Sequence, residues 1–218
     1  MLRCGLLLGL LVLGWAGAAQ GESLMLDNFE QGLAPGWEEK SFQGQTVYTV
    51  VAEGKGQVLR AQSHNTASGL IFKKQYDLKR YPRLAWRWKV DNILAKGDER
   101  SKSGDDYAAR VYVIFPHWFA PKTRSINYIW ANKLPKGEFV PNPFFGNAVM
   151  LAVQSGPDRV GEWISEERDV AADYRRIFGA EPPLAGAVAI MTDTDNTGAA
   201  AVAYYDDLRL LSAPDIQP

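Results

Sequence analysis

The sequence is nearly without cysteine: of 218 residues only Cys4 is one, and it lies among the first 21. Past that stretch, disulfides, cysteine-ligated zinc and cysteine nucleophiles are excluded. Histidine is almost as scarce. His64 and His117 stand alone without a neighbouring ligand set, and neither H-E-x-x-H, G-x-S-x-G nor G-x-x-x-x-G-K-[ST] occurs, so zincin, serine hydrolase and P-loop readings lose their usual support. Neither sign of charge dominates. With 24 Lys and Arg against 25 Asp and Glu, the formal net charge is −1, and nucleic acid is not the partner such a balance predicts. After residue 21, no stretch approaches the roughly 20 consecutive apolar residues that a membrane-spanning helix needs.

The first 21 residues hold one charge, Arg3, then an apolar run from Leu6 to Leu13, then the small residues Ala16, Gly17 and Ala18. This succession predicts a secretory signal peptide over 1–21, cleaved between Ala18 and Glu22, and an exported protein, periplasmic or extracellular. Cys4 stands too early to be lipidated. The rest predicts a single domain over 22–212 and a C-terminal tail over 213–218.

Aromatic residues are plentiful, with 7 Trp, 9 Tyr and 9 Phe, and they fall in short strand-like segments punctuated by Gly, Pro, Asn and Asp. Leu24 to Glu30 reads as a first strand, and TVYTVVAE and QVLRAQ as a hairpin turning at Gly54-Lys55-Gly56. In RLAWRWKV, Leu84, Trp86, Trp88 and Val90 point one way and Arg87 and Lys89 the other. In DDYAARVYVIF, the same alternation predicts Tyr107, Ala109, Val111, Val113 and Phe115 on one face, with Asp106, Arg110 and Tyr112 opposite. One short helix is predicted between an Asp169 N-cap and Gly179, stopped by Pro182-Pro183. About eleven strands and one helix predict an all-β fold, a two-sheet antiparallel β-sandwich of jelly-roll type.

The segment Gly186 to Leu211 brackets Asp193, Asp195, Asn196 and Gly198 between two strands. Asp193-x-Asp195-x-Thr197-Gly198 has the alternating oxygens of a calcium loop, although Tyr204 stands where the bidentate acid belongs, and a plain turn uses the same residue types.

The terminal segments LDNFE and AYYDDLRL resemble the paired end strands of jelly-roll carbohydrate-binding modules. More specifically, GDDYAARVYVIF, INYIWA, ERDVAADYRRIFG and AIMTDTDNT, in this order, resemble a bacterial exported family, domain-of-unknown-function family 3047. The family resemblance implies export and one domain but transfers no catalytic residue. The module resemblance implies a structural calcium between the terminal strands, held by Asp27 or Glu30 with Asp206 or Asp207; a solvated strand edge is the other reading of those acids.

Arg87, Lys89, Asp106, Arg110 and Tyr112 are expected to form one polar patch if their strands adjoin, and Asn127, Asp193, Asp195 and Asn196 are further candidate ligand-binding residues. Ten Lys or Arg against four Asp or Glu from Lys73 to Lys102 would favour an anionic glycan. Trp118, Trp130 and Trp163 are candidate stacking platforms for sugar rings, whereas Trp86 and Trp88 are expected in the core. Glu162, Glu166, Glu167, Asp169 and Asp173 offer acids for a glycosidase pair, with charged strand ends as the plainer reading. The expectation is an exported, ligand-binding sandwich that takes carbohydrate without chemistry. The alternatives are a carbohydrate-active hydrolase or lyase on the same scaffold, or an envelope structural protein.

Overall fold

The structure, a computed structural model, describes residues 22–213. The stretch expected to be a signal peptide and all but the first residue of the expected tail lie outside the described residues. Thirteen strands form two sheets: β1 Ser23–Asp27, β2 Trp37–Gln43, β3 Val47–Glu53, β4 Gly56–His64, β5 Ala67–Tyr76, β6 Arg83–Val90, β7 Tyr107–Phe115, β8 Arg124–Ala131, β9 Phe139–Pro141, β10 Ala148–Ser155, β11 Ile164–Asp169, β12 Ala185–Asp193 and β13 Ala200–Leu211. The six-stranded sheet runs β11-β6-β13-β4-β3, with β1 also pairing β13; the seven-stranded sheet runs β2-β5-β12-β7-β8-β10-β9. Pairing is antiparallel except between β8 and β10, where the chain crosses over through β9 before returning.

The two sheets meet on the faces that alternation predicts. Leu84, Trp86, Trp88 and Val90 are buried, and their strand sends Trp86 against Tyr128 of β8 (ring centroids 5.3 Å apart) and Trp88 against Trp130 (6.0 Å). Burying one large apolar side chain stabilises by about 1.5–3 kcal/mol, so these aromatics carry a large part of the cohesion between sheets. Trp130 is therefore core, and its Nε1 donates to the Gly156 carbonyl at 3.1 Å. The expectation that it stacks on a sugar is corrected.

The helix forms as its caps dictate: α1 spans Val170–Phe178, the Asp169 side chain accepts from Ala172 N–H at 2.8 Å, and Gly179 closes the helix in the left-handed region at φ 64°. Tyr174 packs edge-on against Phe115, while Asp173 receives Arg168 and the Tyr128 hydroxyl. Among the described residues, no helix is long and apolar enough to cross a membrane.

Two strands escape sequence reading. β2 is WEEKSFQ, charged and exposed as befits a sheet edge, and β9 has three residues. The first strand ends at Asp27, because Phe29 takes φ 55° and turns the chain.

One irregularity decides the chemistry. Along β12, Met191 pairs with Arg110 and Asp193 with Tyr107, so β7 holds one residue more than its partner over that interval. This bulge at Ala108-Ala109 puts Tyr107 on the face of Arg110 and Tyr112, correcting the alternation that set it with Ala109 and Val111. Tyr205 of β13 crosses from the other sheet to hold the site of the bulge: its hydroxyl donates to the Met191 carbonyl (2.8 Å) and accepts the Arg110 N–H (3.3 Å).

Candidate functional site

Alternation turns Ala67 of β5, Met191 and Asp193 of β12, Arg110 and Tyr112 of β7, Ser125 and Asn127 of β8 and Ala148 of β10 to the outward face of the seven-stranded sheet. They floor a cavity of about 410 Å³. Phe42 at the end of β2 and Phe144 and Phe145 before β10 stand at its rim, all exposed, Phe144 by 57%. Asp105, Asn142, Asp195 and Asn196 complete the walls.

Each wall is held by a specific bond. Asn142 Oδ1 accepts the N–H of Phe144 (2.9 Å) and of Phe145 (3.0 Å), an Asx turn that presents the two rings, while its Nδ2 donates to Asp105 at 2.7 Å. The loop from Thr194 to Ala199 is tied down by Asp106, whose carboxylate accepts from Thr197 N–H at 2.6 Å and from Asn196 N–H and Nδ2 at 3.2 Å. Asp105 and Asp106 are placed in turn by the end of β8. Buried Glu99 accepts the N–H of Asn132 (2.5 Å) and Leu134 (2.9 Å), and Asn132 Nδ2 donates to the Asp106 carbonyl at 2.9 Å.

On the floor Arg110, 8% exposed, pairs with Asp193, 2% exposed. Burial pushes the Asp193 carboxyl well above the usual carboxylate range; Arg110 pulls it back, and Asp106, Asp105 and Asp195 push it further up. Burial works against the charge on Arg110, but Asp193 and Asp105 more than reverse that and leave its pKa raised. Asp105 is raised by burial against the pull of Arg110, and Asp195 by burial and then by Asp106. Burial lifts the Tyr112 hydroxyl to about 12. That hydroxyl has Met191 Sδ as its hydrogen-bond partner, at 3.7 Å, and the buried Arg110 Nε has none. Gly69 beneath leaves the space: a Cβ there would lie 3.0 Å from the Tyr112 hydroxyl.

Of the residues singled out from sequence, Arg110, Tyr112, Asn127, Asp193, Asp195 and Asn196 come together in this cavity, with Asp106 behind its loop. Arg87, Lys89 and Trp163 do not. β6 and β7 follow one another in the chain but belong to different sheets, so Arg87 and Lys89 face away on the other side of the sandwich. There Arg87 pairs with Asp206 and Asp207, Lys89 with Glu53 at 2.6 Å, and both cations lie over the Trp163 ring, at 4.8 and 5.4 Å. That indole face is already taken. Other bases between Lys73 and Lys102 are also spent on exposed pairs such as Lys73 with Glu38 and Arg100 with Glu138, so this basic density does not line the cavity. Trp118 is 91% exposed on the loop after β7, outside the lining.

The acids expected to hold calcium do not converge. Asp27 accepts from Phe29 N–H (2.8 Å), Ala34 N–H (3.0 Å) and Trp37 Nε1 (2.8 Å), Glu30 from Gln57 N–H (3.1 Å), and Asp206 and Asp207 face Arg87. Each has a protein donor. Among the described residues, the acids whose oxygens gather are Asp106, Asp193 and Asp195, within 4.8 Å of one another. Asp106 there is committed to two backbone N–H groups and Asp193 to Arg110. Of the glycosidase candidates, Asp173 is bound by Arg168, Asp169 caps α1 and Glu162 pairs with Arg159.

Asp105, Asn142, Phe42, Phe144 and Phe145 escaped the sequence reading. A signal existed in PNPFFGN, where two adjacent phenylalanines inside a cluster of turn residues fit neither strand nor core.

A family model described as "Protein of unknown function (DUF3047)" matches residues 35–209. A search of curated proteins finds no match. Among solved structures, the chain is similar to the family 11 carbohydrate-binding module of a cellulosomal cellulase of Clostridium thermocellum, at 13% identity over 89% of this chain and 97% of that one, with TM-score 0.50. The family 30 carbohydrate-binding module of another cellulosomal cellulase of that organism is 10% identical over 83% of this chain and 93% of its own, with TM-score 0.48. The adhesin domain of Lys-gingipain from Porphyromonas gingivalis W83 is 12% identical, over 88% and 99%, with TM-score 0.43. At such identities the likeness to the family 11 module is one of fold.

Proposed function

The chain belongs to the DUF3047 family, and on that footing we infer that it is an exported, non-catalytic carbohydrate-binding β-sandwich whose ligand seats on the outward face of the seven-stranded sheet. One observation carries this reading: exposed Phe42, Phe144 and Phe145 rim a cavity whose floor offers the Tyr112 hydroxyl, the Asn127 and Asn196 amides and buried carboxylates. Apolar ring faces beside convergent hydrogen-bonding groups are what a sugar needs, since a pyranose presents C–H groups on its faces and hydroxyls around its edge. The family 11 module, whose name says that it binds carbohydrate, supports the reading through the shared fold. The acids support binding without cleavage, since Asp106, Asp173 and Asp193 are each engaged by a protein donor.

A glycan array probed with the protein, read for both retention and cleavage, tests this. Retention without cleavage is expected, lost in the Phe144→Ala, Phe145→Ala double variant and kept in Trp163→Ala. No retained glycan, or retention that depends on Trp163, would end the reading. Export is checked by mass spectrometry of the protein from its native compartment, where an intact Met1 terminus would overturn it.

A further inference from the structure

We propose that a second cavity, where β7 ends, β8 begins and α1 packs against both, binds a phosphate monoester. Its volume is about 450 Å³, and it shares no lining residue with the cavity on the sheet face. Arg124 pairs with Phe115 across the strands and, one position before Ser125, turns away from the sheet-face cavity toward Tyr174 and Phe178 of α1. Lys122 and His117, from the loop between β7 and β8, line the same cavity, and no acid does. Among the described residues neither Lys122 nor Arg124 has a carboxylate within ion-pair distance, and the acids next along α1 and beyond it, Asp173 and Glu181, are held by Arg168 and Arg175. The loop is fixed by the protein itself: Lys122 N–H donates to the Phe119 carbonyl (2.9 Å), Asn147 Nδ2 to the Pro121 carbonyl (2.8 Å) and His117 N–H to Thr123 Oγ1 (3.3 Å).

The donors gathered here lack acceptors. Arg124 is half-buried; one of its N–H groups goes to the Tyr174 hydroxyl at 3.0 Å, the Phe178 ring lies against its guanidinium at 4.8 Å, and its other N–H groups have no acceptor among the described residues. Tyr174, more than nine-tenths buried, accepts that bond, so its own hydroxyl hydrogen is likewise left without an acceptor among the described residues. His117 Nδ1 accepts the Phe119 N–H at 3.0 Å, which leaves the proton of the neutral ring on Nε2. A guanidinium fork, a phenolic O–H, an imidazole N–H and the Lys122 ammonium thus belong to one cavity whose lining offers them no carboxylate. Charge selects the ligand. A phosphate monoester carries about −1.5 to −2 at pH 7 on three terminal oxygens, which matches Lys122 and Arg124 together, whereas a carboxylate would answer one cation and leave the other unpaired. Phe115, Pro116 and Pro183 give the rest of the ligand an apolar wall.

The test is a calorimetric titration of the protein at about 0.15 M salt with glucose 6-phosphate, glucuronate and glucose, beside pelleting with phosphatidylcholine vesicles that carry either phosphatidic acid, a phosphomonoester, or phosphatidylglycerol, a phosphodiester. Glucose 6-phosphate is expected to bind at least ~10-fold more tightly than glucuronate, with glucose weakest, as Coulomb attraction to two partly screened cations implies. Soluble and lipid-borne sources of the monoester are told apart by which arm responds, and either response carries the proposal. Lys122→Met should weaken the responding arm several-fold without moving Tm, since that side chain is exposed and the residue is tied through its backbone. Tyr174→Phe should weaken it while keeping the ring packed on Phe115. Arg159→Gln, which removes an exposed cation paired with Glu162 beyond the far end of β10, should change nothing. Glucuronate or phosphatidylglycerol bound as tightly as the monoester overturns the assignment, as does silence in both arms. So does a response that Lys122→Met and Tyr174→Phe leave intact, or that Arg159→Gln or the Phe144→Ala, Phe145→Ala double variant removes. The carbohydrate reading stands in each case, because it rests on other residues.

Discussion

Asp106 accepts the backbone N–H of Thr197 at 2.6 Å, so that a fully buried carboxylate just before β7 fixes the loop carrying Asp195 and Asn196. Asp106→Ala strands that N–H along with those of Asn196. An unsatisfied buried donor costs about 1–3 kcal/mol, which in a domain of this size lowers Tm by about 2 to 12 °C. Thermal denaturation checks the loss, and glycan affinity should fall with it because one wall of the cavity is released.

Asn142→Ala is expected to separate binding from stability. It removes the acceptor that holds the Phe144 and Phe145 amides, in an exposed turn whose backbone water can solvate, and a donor to Asp105, which keeps the Tyr107 hydroxyl as a partner. Losses at such caps are typically about 1 kcal/mol. Affinity should drop several-fold while Tm moves by only a few degrees; an unchanged affinity in calorimetry would show that the rim rings do not depend on this turn.

The pair of Arg110 and Asp193 predicts a non-additive result. Asp193→Leu alone leaves a buried guanidinium without its counter-charge, at a cost of about 3–5 kcal/mol. Combining it with Arg110→Met should recover much of that, since apolar replacement of a whole buried pair is often neutral. The double variant, melted beside each single one, is expected to be the more stable, and to bind no glycan.

Much of the sandwich was legible because Leu84, Trp86, Trp88 and Val90 alternate cleanly with charged neighbours, and α1 because Asp169 and Gly179 mark its ends. Sheet membership was not. Nothing local to β6 or β7 says that the chain passes from one sheet to the other between them, and on that crossing depends whether Lys89 can meet Arg110. β2 hid for a different reason: Glu38, Glu39 and Lys40 are poor strand formers that suit an exposed edge. The cavity was half visible. Its floor follows from strand faces, but its rim depends on hydrogen bonds across long separations, such as that from Asn142 to Asp105.

Stability should respond to pH with a sign set by the cavity acids. Burial, followed by the charge of Asp106, holds Asp195 above the usual carboxylate range in the folded state. A raised folded value means that the native protein binds the extra proton, so this contribution is present below the unfolded value of about 4 and is lost as pH rises through the folded one. Asp195→Asn removes the titration. Its Tm advantage over the unaltered protein should therefore widen from pH 4 to pH 7, and an advantage that shrinks over that range would reverse the assignment.

The extra residue in β7 also bears on how a chain like this can change. A strand is read in steps of two, so an added position exchanges inside for outside for everything on one side of it. The bulge absorbs that exchange: three steps from Tyr107 to Arg110 meet two from Asp193 to Met191, and were the strand regular there, Tyr107 would swing toward the tryptophans and Asp105 and Asp106 would fall out of phase with Arg110. The alanines are chemically bland. The extra position they supply, in the run Asp106-Tyr107-Ala108-Ala109-Arg110, is taken up by the bulge, which keeps the acids on the side of Arg110, so the site is written in backbone shape as well as in residue type.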